Sequence, residues 1–174
     1  MWLINVLMQI SYHFLFNFHI TMYNPTIQSN QYQQHQFCLG VNIRASNGKY
    51  ITAEGTSQVF AKKDKPTGTE MFKLFGLGSC ITNQSKVIIS NDKGLNWTST
   101  EKKEIRSKDG DANLCETFTI ICPSGSNDIT NQKWVAFKDY KGRYLSTKKS
   151  AYIKALQSEI GPTELFKIEI LNYN

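Results

Sequence analysis

Apolar residues fall on alternate positions three times along the chain: Val41, Ile43 and Ala45, then Val87 and Ile89, then Val135 and Phe137. A period of two is what a strand with one buried face requires. A glycine follows each run seven residues after its first valine, at Gly48, Gly94 and Gly142. Asn47-Gly48 suits the positive φ angles of a tight hairpin turn, and the two other glycines are expected in equivalent turns. Gly125 lies in a variable connector and is expected to be free of that demand. In the first unit Tyr50 and Ile51 start a second strand, and Glu54-Gly55-Thr56-Ser57 turns the chain. Val59 is placed in a third strand, and a polar loop from Lys62 to Gly68 leads to a fourth at Phe72, Leu74 and Phe75.

The unit recurs. Ile105 and Ile153 repeat Val59, Phe118 and Phe166 repeat Phe72, and Glu70, Glu116 and Glu164 each stand two residues before their Phe. Leu74, Ile120 and Ile168 follow two residues after it. The repeats are offset by 46 and 48 residues, with the slack in the connectors 76–86 and 121–134. Such a fixed period marks repeat architecture. Three units of about four strands, each with one apolar face, bury those faces only against one another. A propeller would need more blades than three. The expected fold is therefore all-β: a β-trefoil of pseudo-repeats at about 41–75, 87–121 and 135–171. The threefold recurrence of the glutamates argues against catalysis, which needs a carboxylate only once. Each is expected to bind backbone N–H groups at the same turn of its repeat.

Charge divides the chain. The first 40 of its 174 residues hold no Asp, Glu, Lys or Arg, whereas His13, His19 and His35 all fall there. The expected boundary is near residue 37, giving an uncharged extension (1–37) and a folded domain (38–174). Met1 to Ile20 is mostly apolar and just long enough to cross a bilayer. Asn5, Gln9, Ser11, His13, Asn17 and His19 interrupt it, no Lys or Arg precedes it, and no cleavage site stands before Met22. Three readings stay open: a weak signal or anchor, a helix packed on the domain, or an upstream extension with Met22 as the working start. Tyr23 to Gln36 is rich in Asn, Gln and Ser and reads as a disordered tail. The expected location is cytoplasmic and cytoskeleton-associated, or secreted or membrane-anchored if residues 1–21 are a working signal.

Little in the sequence supports catalysis. The folded part has no histidine, the commonest general base and metal ligand. There is no G-x-S-x-G and no P-loop, and Gly76-Leu77-Gly78 lacks the third glycine of a dinucleotide site. Asp109 to Asn113 begins like a calcium loop, but Leu114 and Ile120 stand where Gly and Glu are required, so it reads as a hairpin turn. Cys38, Cys80, Cys115 and Cys122 match no zinc spacing and read as free, mostly buried thiols. Asn83 and Asn96 open glycosylation-type triplets, which are frequent by chance in such a composition. No enzyme activity, cofactor or metal is expected.

Twenty Lys and Arg against fourteen Asp and Glu give a net charge of +6. The lysines cluster at turns: Lys62, Lys63 and Lys65, then Lys102 and Lys103, then Lys148 and Lys149. Such patches attract acidic partners, among them actin filaments, anionic lipid, sulfated sugars and nucleic acid.

Ala45-Ser46-Asn47-Gly48-Lys49-Tyr50-Ile51-Thr52-Ala53 resembles the repeat opening of the fascin family, A-S-N-G-[KR]-[YF]-[LV]-[ST]-A, and Lys141-Gly142-Arg143-Tyr144-Leu145-Ser146-Thr147 is similar. Gly161-Pro162-Thr163-Glu164-Leu165-Phe166 is similar to the family's G-P-x-E-x-F element, with Gly68 to Phe72 a shortened form. The resemblance covers about 39–171, and the middle repeat departs most, with Leu95-Asn96-Trp97 in place of Lys-Tyr-Leu. It implies a trefoil that binds or crosslinks actin filaments. Fascin carries four trefoils; in size this chain is more similar to hisactophilin, a membrane- and actin-binding protein of the same superfamily. That protein's histidine-based pH response does not carry over. The candidate actin contacts are Lys62, Lys63, Lys65, Lys148 and Lys149, with Lys102 and Lys103 behind them; nucleic acid is not expected. The alternative is a carbohydrate-binding trefoil, lectin or heparin-binding. Gln132-Lys133-Trp134 matches the Q-x-W of ricin-type lectins, though only once.

Overall fold

The computed structural model describes residues 37–78, 80–129, 134–148 and 151–171. The apolar segment 1–20 and the Asn- and Gln-rich stretch lie outside them. Twelve strands follow in three sets of four. The first set is β1 (Cys38–Ala45), β2 (Tyr50–Thr52), β3 (Phe60–Lys63) and β4 (Met71–Gly76). The second is β5 (Lys86–Asn91), β6 (Asn96–Ser99), β7 (Ile105–Lys108) and β8 (Thr117–Ile121). The third is β9 (Trp134–Lys138), β10 (Tyr144–Ser146), β11 (Lys154–Gln157) and β12 (Phe166–Ile170).

The outer strands of each set form an antiparallel six-stranded barrel in the order β1, β4, β5, β8, β9, β12. It closes where β12 returns to β1, with Val41 opposite Ile170 and Ala45 opposite Phe166. The inner strands pair as hairpins, β2 with β3, β6 with β7 and β10 with β11, and cap one end. At the cap's centre Val59 N–H donates to the Ile105 carbonyl at 2.9 Å, Ile105 N–H to Ile153 at 3.1 Å, and Ile153 N–H to Val59 at 2.9 Å. This is a β-trefoil, and the ring of three bonds lies on its pseudo-threefold axis.

The core is filled from the alternating positions. Val41, Ile43, Leu74, Ile89, Phe72, Phe118, Phe166, Ile120 and Ile168 are all buried. Trp97 takes the place that Ile51 and Leu145 hold in the sister repeats and meets Phe72 edge-on at 5.2 Å. Gly48, Gly94 and Gly142 have φ of +82°, +78° and +78°. Their N–H groups bond back to Ala45, Asn91 and Asp139 at 2.9–3.0 Å, closing the first turn of each repeat.

A single 3-10 turn precedes the last strand of each repeat, at Gly68–Glu70, Leu114–Glu116 and Pro162–Glu164. The glutamate at its end is buried, and its carboxylate accepts the backbone N–H three residues earlier. The donors are Thr67 at 2.7 Å, Asn113 at 3.0 Å and Gly161 at 2.9 Å. The second oxygen of Glu70 and of Glu164 accepts from Thr69 and Thr163 at 2.7 and 2.8 Å.

Four expectations need correction. Val59 flanks β3 instead of lying in it, because its N–H and C=O serve the axial ring. Asp109–Asn113 is no hairpin turn: it leads from the cap strand β7 to the 3-10 turn before β8, and Asp-Gly signals a change of direction without specifying paired strands. Gly125 also has positive φ, +72°, so a variable connector does not free it from that conformation. Of the four cysteines only Cys122 is buried; Cys38 and Cys80 are exposed and Cys115 is half-buried.

Candidate functional site

The three cap hairpins meet along three seams, each carrying one isolated bridge: Gln58 with Arg106, Glu104 with Lys154, and Tyr152 with Phe60. The repeat offsets make Gln58, Glu104 and Tyr152 equivalent, and likewise Phe60, Arg106 and Lys154. Two seams are thus polar. Glu104 accepts a hydrogen bond from Arg106 Nε at 3.1 Å. Hydrogen bonding from Gln58, with a lesser part from Arg106, holds the Glu104 carboxyl below the ordinary carboxylate range.

The third seam is aromatic. The Phe60 and Tyr152 rings lie 4.6 Å apart between centroids at a 43° tilt. Lys62 Nζ sits 4.7 Å from the Phe60 centroid, within cation–π reach, and 3.6 Å from Glu54 Oε1. Tyr152 is 40% exposed. Strand alternation accounts for the arrangement: Phe60 and Lys62 share the outer face of β3, while Ala61 between them is buried.

The remaining lysines distribute as follows. Lys63 lies opposite Tyr50 in the β2–β3 ladder. Lys65 is exposed in the loop after β3. Lys148 is exposed after β10, and Ala151, the next described residue, accepts from the Ala61 N–H of β3 at 2.6 Å. Lys149 lies outside the described residues. Lys102 and Lys103 occupy the tip of the β6–β7 hairpin, where the Lys103 carbonyl accepts from Ala155 at 2.8 Å. They therefore belong to the Glu104–Lys154 seam. The fold sets Lys62 at the aromatic seam and leaves Lys102 and Lys103 at another. Phe60 and Tyr152 were not singled out from sequence, although aligning the repeats shows an aromatic pair where the sister units hold polar residues.

A second cluster is structural. Asp139 accepts from Arg143 Nε at 2.9 Å, from Ser99 Oγ at 2.8 Å, and from the Lys141 and Arg143 backbone at 3.0 and 2.9 Å. Burial opposes its charge, but these bonds outweigh burial and hold the carboxyl below its usual range. Among the described residues no group of three or more His, Cys, Asp and Glu is placed to hold a metal ion. Asn96 is nearly buried and its amide is engaged with Ser90 and Gly110, so its triplet is no open acceptor. Trp134 of the Q-x-W triplet is 43% exposed at the start of β9; Gln132 and Lys133 lie outside the described residues.

No family model matches the sequence, and no curated protein sequence matches it. Solved structures do. An SDF2-like protein from Arabidopsis thaliana superposes with a TM-score of 0.61 at 7% identity, covering 77% of this chain and 93% of that one. A structure described as the BEL beta-trefoil, in an apo crystal form, gives 0.59 at 12% identity, covering 76% and 93%. A mosquitocidal holotoxin gives 0.61 at 13% identity, covering 77% of this chain but only 17% of that one. At such identities the likeness is one of fold. None of the three is described as a fascin or an actin-binding protein.

Proposed function

We propose that this chain is a non-catalytic carbohydrate-binding module whose ligand seats on the hairpin cap. The observation that carries the reading is the half-exposed Phe60–Tyr152 pair with Lys62 over the ring. A pyranose ring presents C–H faces that stack on aromatic rings, and ligand sites combine such apolar surface with a few placed polar groups. An actin filament attracted by lysine-rich turns would need only the charge. The competing partner, expected from the fascin resemblance, would use Lys62, Lys63, Lys65, Lys148 and Lys149, so one experiment separates the two. Labelled protein is applied to an array of neutral and acidic glycans, and in parallel is sedimented with filamentous actin at low and physiological salt. The expected result is glycan signal, with any actin pelleting lost at physiological salt, where exposed charges are screened beyond about 8 Å. Pelleting that survives physiological salt without glycan signal overturns the reading in favour of actin.

A further inference from the structure

We infer that the Phe60–Tyr152 seam is a single subsite for an acidic glycan, in which the aromatic pair stacks a sugar ring while Lys62 holds its sulfate or carboxylate group. The inference rests on the carbohydrate reading and adds to it the place, the ligand class and the number of sites. It starts from the break in threefold symmetry. The same fold closes its two other seams with Gln58 against Arg106 and Glu104 against Lys154. The architecture therefore does not require aromatic side chains at these positions. Polar pairs do the structural task, whereas at the third seam Tyr152 remains 40% exposed.

The charges differ from seam to seam as well. At the Glu104–Lys154 seam an acidic side chain stands among the bases, and Glu104 is bound by Arg106 at 3.1 Å. At the aromatic seam, as at the Gln58–Arg106 seam, the bridging residues carry no acid. Lys62 is held loosely there, 3.6 Å from an exposed Glu54, so an incoming anion exchanges one weak surface pair for another. Ala151, next to Tyr152, accepts from the Ala61 N–H of β3 at 2.6 Å, which fixes the two rings against each other. An aromatic face with the Lys62 amine over it suits a ring that carries an anionic substituent. A neutral sugar leaves the amine unused, and a polyanion without rings leaves the aromatic pair unused.

The sister seams supply the test. Exchanging Phe60→Lys together with Tyr152→Glu installs the Glu104–Lys154 pair at the aromatic seam and leaves the net charge at +6. Isothermal titration of the full chain with a heparin-derived oligosaccharide is expected to give one site per chain. The double exchange should weaken binding by about tenfold or more, equivalent to ~1.4 kcal/mol or more, with the melting temperature held within a few degrees. Lys62→Ala should also weaken binding, and Lys102→Ala with Lys103→Ala should not. If the double exchange fails to fold, Tyr152→Gln, which borrows the residue at Gln58, carries the same expectation. Wild-type binding that the folded exchange leaves unchanged overturns the subsite while the carbohydrate reading stands. So does inorganic polyphosphate binding as tightly as the oligosaccharide and as insensitively to the exchange. A wild-type chain that binds neutral glycans alone overturns the acidic ligand class, and one that binds no glycan overturns both readings.

Discussion

No heavy atom lies within 4 Å of where a Cβ would sit on Gly142. What glycine supplies there is its φ of +78° and nothing else. Gly142→Ala should therefore cost about 1–2 kcal/mol, the penalty of a left-handed conformation for a residue with a Cβ. Gly68 is equally open but does not have positive φ, so Gly68→Ala should be neutral or stabilise by up to about 1 kcal/mol through the unfolded chain. Chemical denaturation of the two variants checks this, and equal losses would remove the argument from φ. Asp139 allows a sharper residue-level test. Its folded-state carboxyl lies below the ordinary value of 3.8, so the unfolded chain takes up its proton first as pH falls. Its stabilisation is present above that value and is lost as the pH falls through the lower folded value. Stability measured from pH 6 down to pH 3 should decline less steeply in Asp139→Asn than in the parent. The variant should also be less stable at neutral pH, since Arg143 loses the charge 2.6 Å away.

At the level of elements, the three 3-10 turns are close copies with one defect. Thr69 and Thr163 each satisfy the second oxygen of their glutamate, but the middle repeat has Cys115 at that position. Among the described residues Glu116 Oε1 has no hydrogen-bond partner and only Lys108 Nζ at 3.7 Å. Cys115→Thr restores the hydroxyl of the sister repeats and should raise stability by about 0.5–1.5 kcal/mol, the usual net value of such a bond. A denaturation midpoint that falls instead would mean that the middle turn cannot accept the sister geometry. The same elements show what sequence alone discloses. The period of Gly, Glu and Phe was legible because each sits where the backbone or the core accepts few alternatives: positive φ, a buried turn, the barrel interior. Asp109–Asn113 was misread because Asp-Gly marks a turn locally, whereas whether strands pair across it depends on where β8 goes in the barrel. The cysteines were misread because a small apolar side chain carries no periodic signal of its own.

For the whole molecule, the lysines of the candidate site were visible as clusters, but the seam was not. Phe60 and Tyr152 belong to the first and third repeats and meet only because the cap closes on itself, so no local pattern announces the pair. That closure also decides whether the seam is preorganised. The bonds joining Val59, Ile105 and Ile153 tie each hairpin to both others, and all three side chains are buried. Opening one hairpin breaks two bonds of the ring and exposes the core beneath, so the cap should open only when the barrel does. Hydrogen exchange is the measurement. The amides of Val59, Ile105 and Ile153 should exchange with the same opening free energy as Ile43 and Ile168 of the barrel, while those of the exposed Asp111 and Ala112 should exchange within the dead time. Ring amides that open well before the barrel would mean that the hairpins move independently. Lys62, Phe60 and Tyr152 would then not be held ready for a ligand, and any binding there would carry an ordering cost that a closed cap avoids.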